Sequence, residues 1–147
     1  MSTHSIPVPA GRAPVWLKAT AAFGVAWNLF GAVQFAGLVL ATPESLVASG
    51  LTPEQAAVMT GYPFWMTLAF ALGVFGGLGG SVLLFLRHNL ARPVLGGSLV
   101  AYIALWVGDW VHGVFAVMGM PQLVILTLVV AIAAALFAAS LSRAARS

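Results

Sequence analysis

The chain has 147 residues, of which 61% are hydrophobic and 6% charged; six Lys and Arg against three Asp and Glu leave a formal net charge of +3. A soluble domain carries about 25% charged residues, so this composition, with its mean hydropathy of +1.04, excludes a soluble globular enzyme and a disordered tail. Six basic residues cannot line a phosphate-tracking surface, which excludes nucleic acid as a partner, and the lack of cysteine removes disulfides, thiolate zinc, iron–sulfur clusters and covalently attached c-type haem.

The expected fold is all-α: a four-helix transmembrane bundle with a short helical outer loop and both termini cytoplasmic. Residues 1–14, with Pro7, Pro9 and Pro14 and small polar neighbours, read as a flexible cytoplasmic tail; His4 in it is given no role. Residues 15–147 read as a single four-span membrane domain, because four stretches reach the roughly 20 apolar residues that cross hydrocarbon. They cover about residues 15–41, 63–86, 93–118 and 121–141. Pro14, Pro63, Pro93 and Pro121 stand near the four starts, where a missing N–H costs nothing. Arg12 ahead of the first stretch and Lys18 at its start look like the n-region of a signal peptide, but the apolar run is longer than such a peptide uses.

The loop of residues 42–63 carries an internal echo. Thr42-Pro43-Glu44 is followed by Gly50, and Thr52-Pro53-Glu54 by Gly61. Thr suits an N-cap, Pro and Glu the first turn, and Gly the end. The pattern predicts two short helices across the outer ends of the spans. They are read first as a lid on the bundle, with a substrate gate as the sharper alternative.

Small residues let membrane helices approach closely. The second span carries Gly73, Gly76, Gly77 and Gly80, and the third a stripe of Gly97, Ala101, Ala104 and Gly108. These glycines are assigned to helix packing, with a homodimer seam as the lesser reading.

All six basic residues, Arg12, Lys18, Arg87, Arg92, Arg143 and Arg146, fall on one side of the spans, and the positive-inside rule turns that side to the cytoplasm. A rise of 1.5 Å per residue sets Gln34, Asp109 and Thr127 about 24–26 Å from this side, with Thr67 and His112 at about 30 Å and Asn28 near the middle. These six residues form the candidate ligand or proton-linked polar layer. Asp109 and His112, three apart, share a helix face and are expected to pair, either as a structural clasp or as a site. His88 and His112 lie at opposite ends of one span, so they cannot share a haem. Asp109 and His112 supply two metal ligands at most. The expectation is therefore no metal, no cofactor and no enzyme.

Trp27-Asn28-Leu29-Phe30-Gly31, Thr52-Pro53-Glu54-Gln55 and Pro63-Phe64-Trp65, with Gly76-Gly77, Gly80, Leu83-Leu84, Arg87, Ala91-Arg92-Pro93 and Ser98-Leu99, together resemble a family of small bacterial four-span inner-membrane proteins. Its members often carry a sugar-transporter label; a more distant likeness is to DoxX-like proteins. The likeness covers residues 16–99 well and the later spans more loosely. It implies a multi-pass bacterial inner-membrane protein, with small-solute transport as the first expectation, and brings no catalytic residues. The alternative is a non-enzymatic accessory or scaffold subunit of a larger membrane complex. The partners expected are the lipid bilayer and either further copies of the chain or that larger complex.

Overall fold

The computed structural model describes residues 12–145. In chain order these form α1 (Val15–Leu40), α2 (Pro43–Ala48), α3 (Pro53–Thr60), α4 (Phe64–Phe85), α5 (Ala91–Val111), α6 (Val114–Met118), α7 (Met120–Ser140) and a closing 3-10 turn (Arg143–Ala145). The helices α1, α4, α5 and α7 are long and apolar enough to cross a membrane; 21 residues, the length of α5 and of α7, span about 31 Å, the thickness of the hydrocarbon core. The protein is a multi-pass membrane protein built as a four-helix bundle. Arg146 and residues 1–11 of the expected tail lie outside the described residues.

The four long helices run up and down. Lys18 of α1 sits over the Phe85 ring of α4, 5.6 Å from its centroid, and the Arg87 Nε donates to the Ala144 carbonyl at 2.8 Å. Leu17, Leu84, Leu95 and Leu136, one from each long helix, meet in a core cluster at this end. We call it the basic end, since Arg12, Lys18, Arg87, Arg92 and Arg143 all stand there. A second cluster, with Met66, Val74, Leu105 and Leu126, fills the opposite half. Around the bundle α4 packs against α1 and α5, and α5 against α7, while α1 and α7 touch only lightly.

The opposite end carries α2 and α3, the two short helices that the Thr-Pro-Glu echo predicts. Thr42 accepts from the Ser45 N–H and Thr52 from the Gln55 N–H, and the side chains of Ser45 and Gln55 return the bond to the cap N–H. Each threonine is the N-cap of a capping box. We call this the capped end.

One boundary differs from the sequence reading. The third span does not run to residue 118: α5 stops at Val111, and Gly113 at φ +72° and Gly119 at φ +84° bracket the separate α6. Left-handed backbone ends a helix, and hydropathy does not register it because residues 114–118 are as apolar as the span itself. Val114 is buried in the bundle, and the Val117 carbonyl accepts from Gln55 Nε2 at 3.3 Å, tying α6 to α3.

The glycines of α4 split between two neighbours. Cβ atoms added at Gly73, Gly76 and Gly80 would meet Tyr102, Ser98 and Leu95 of α5, whereas one at Gly77 would meet Asn28 of α1. Gly108 of α5 lies under Trp65 and Met66 of α4. The Ser98 Oγ donates across the α4–α5 contact to the Gly73 carbonyl at 2.6 Å. Gly97 departs from its expected packing role: it is exposed, with nothing within 4 Å of an added Cβ. Ala101 and Gly108 of the same stripe are buried, and at the Gly97 level it is the next residue, Ser98, that faces inward.

Candidate functional site

Because α1 and α7 touch only lightly, a cleft of about 430 Å³ opens between them in the capped half. A volume of that size is within the range of small-molecule pockets. Its lips are Phe30 of α1 and Ile125 of α7, 57% and 58% exposed, so the cleft opens sideways from the bundle. Its back wall is the buried Tyr102, Leu105 and Leu126. Leu46 of α2 and Met59 of α3 border it from the capped end.

The polar groups of the cleft are few and specific. Gln34, Tyr62, Tyr102 and Gln122 line it. Behind Tyr62 and Gln122 lies Asp109, 0% exposed. The Tyr62 hydroxyl donates to Asp109 Oδ1 at 2.9 Å, and Gln122 Nε2 donates to Oδ2 at 3.0 Å. Both carboxylate oxygens therefore accept, as a buried carboxylate requires. Burial first, then the charge of Asp109 and the bond to it, hold the Tyr62 phenol well above its usual pKa. Deeper down, the Tyr102 hydroxyl donates to Asn28 Oδ1 at 3.4 Å, and Asn28 Nδ2 donates to the Gly24 carbonyl at 2.8 Å.

The expected Asp109–His112 pair does not form. His112 is the C-cap of α5, exposed, with its ring 6.1 Å from the Trp65 ring; the end of α5 carries it out of the helical face it would share with Asp109. The partners of Asp109 are Tyr62, two residues ahead of α4, and Gln122, the third residue of α7. Asp109 therefore lies at the level where those two helices begin, above the layer assigned to it with Gln34 and Thr127. Thr127 is one step lower, accepting from Trp106 Nε1 at 3.0 Å. Gln34 lines the cleft, Asn28 lies beneath its floor, and Thr67 is half-buried on α4 without lining it. Tyr62 and Gln122 are missing from the sequence-derived layer. The signal that finds them is their position: each opens a span at the end where α5 finishes.

Comparison with protein-family models, characterised proteins and solved structures gives no match for this chain. The class of protein is therefore the one its own helices define, a four-helix multi-pass membrane protein with a lateral cleft.

Proposed function

We propose that this protein binds a small, largely apolar solute in the cleft between α1 and α7 and acts as a small-solute carrier of a bacterial inner membrane. The observation that carries this reading is the cleft itself: an apolar volume of about 430 Å³ with a sideways mouth and a few polar groups converging at one end. Apolar walls with a small number of placed polar groups are the usual make-up of a ligand site. A mouth between two spans admits solute from the bilayer.

Filling the mouth tests it. Gly37 lines the cleft and has nothing within 4 Å of an added Cβ, so Gly37→Trp places an indole there without straining α1. The full chain in nanodiscs is expected to bind the neutral dye N-phenyl-1-naphthylamine, and Gly37→Trp to weaken that binding by about tenfold, a loss of about 1.4 kcal/mol. Equal binding by parent and variant would sink the cleft reading. It would favour the second one, in which the lightly packed α1–α7 seam receives a helix of a larger membrane complex.

The orientation belongs to the same proposal. The described basic residues stand at one end and the acidic ones at the other, and the positive-inside rule turns the basic end to the cytoplasm. Reporter fusions after Ser147 and within residues 87–92 are expected to report cytoplasm, and a fusion within residues 45–61 the outside. A C-terminal fusion active on the outer side overturns the assignment.

A further inference from the structure

The described charges are divided between the two ends of the bundle. Arg12, Lys18, Arg87, Arg92 and Arg143 stand at the basic end, whereas Glu44, Glu54 and Asp109 stand in the capped half. Among the described residues no Lys or Arg lines the cleft. His112, the titratable base of the capped end, is exposed against Trp65 and does not line it either.

Asp109 is thus a buried carboxyl group held by two neutral donors and, among the described residues, by no cation. A carboxylate buried without an opposite charge is costly, so a cation arriving beside Asp109 favours the ionised form, whose field reaches further in a low-dielectric wall than in water. Tyr62 and Gln122, which carry that field to the cleft, have turned their bonding hydrogens away from it, towards Asp109. A phenol oxygen keeps its lone pairs for another partner, and the Gln122 amide keeps its Oε1. The remaining walls add the rings of Trp27, Phe30 and Phe70, whose faces are negative and attract cations. Acceptor oxygens, ring faces and a buried carboxyl group with no cation beside it all select the same sign of ligand.

We infer that the ligand of the cleft is a lipophilic organic cation, an apolar body carrying an ammonium or similar group, with Asp109 as its counter-ion acting through Tyr62 and Gln122. The inference rests on the cleft being a solute site and names the chemical class of that solute. Asp109 is a positioning and charge-setting residue here, since Tyr62 and Gln122 stand between it and the ligand.

Two ions of one shape and opposite charge, tetraphenylphosphonium and tetraphenylborate, separate sign from hydrophobicity. The full chain in nanodiscs of zwitterionic lipid is expected to bind the phosphonium more tightly than the borate by about tenfold, or about 1.4 kcal/mol, after subtraction of empty discs. Asp109→Asn is expected to erase that preference, and Gly37→Trp to weaken both ions. Tyr62→Phe, which keeps the ring and removes the link to Asp109, is expected to reduce the preference several-fold, and it supplies the answer if Asp109→Asn does not fold. Equal binding of the two ions by the parent, or a preference that survives removal of the carboxylate or the phenol, overturns the cation assignment. The neutral dye keeps the two failures apart. Dye binding that Gly37→Trp weakens, with no ion preference, overturns the cation alone. Dye binding indifferent to Gly37→Trp overturns the cleft as well.

Discussion

Gly77→Leu is expected to destabilise the bundle by about 2–6 kcal/mol. A Cβ at this position would stand 2.7 Å from Asn28 Cγ, closer than real Cβ contacts come. The Asn28 amide has little freedom to yield, because Nδ2 is bonded to the Gly24 carbonyl and Oδ1 to the Tyr102 hydroxyl. The larger side chain therefore adds two costs. Overpacking a tight contact costs about 1–3 kcal/mol, and turning a buried amide away from its partners costs about 1–3 kcal/mol more. Gly79, two residues further on, is the control: it is exposed and an added Cβ meets nothing within 4 Å. Gly79→Leu is expected to change stability by no more than about 0.5 kcal/mol. Thermal unfolding of the two variants in the same detergent decides the point, and equal shifts would show that the α1–α4 contact does not depend on bare backbone at Gly77.

The second large effect is at Asp109. Asp109→Leu leaves the Tyr62 hydroxyl and the Gln122 amide without their acceptor. Each stranded donor costs about 1–3 kcal/mol, offset where either group can turn into the cleft, so a loss of about 2–4 kcal/mol is expected. Asp109→Asn is expected to cost less, about 1 kcal/mol. Its remaining carbonyl still accepts from Tyr62, and Gln122 can turn its amide over so that Oε1 accepts from the new amide. The same unfolding measurement on both variants tests this. Equal losses would mean that charge, and not hydrogen bonding, holds α4, α5 and α7 together at the capped end. A His112→Ala variant is expected to be near neutral, since His112 is exposed and does not touch Asp109; a loss as large as that of Asp109→Leu would restore the pair.

Much of this architecture is written in local sequence. Four runs of about 20 apolar residues leave no alternative to helices in hydrocarbon, because every backbone N–H and C=O must be satisfied within the segment. The Thr-Pro-Glu echo fixes α2 and α3 because capping is a bond between residues three apart. The grouping of the basic residues at one end follows from span number alone.

Relations between segments had to come from the tertiary structure. Whether Gly77 meets α1 while its neighbours in α4 meet α5 depends on how the helices are rotated about their own axes, and apolar spans carry little polar contrast to encode that rotation. The same indifference let Gly97 look like a packing residue. Counting residues along a span places Asp109 by depth but does not choose its partners. Those were decided by the stop at Gly113, which turns His112 outward, and by the packing that sets the starts of α4 and α7 beside the end of α5. The cleft is the least local feature of all. It exists because α1 packs on α4 and only lightly on α7, a difference between two interfaces that no single stretch of sequence contains.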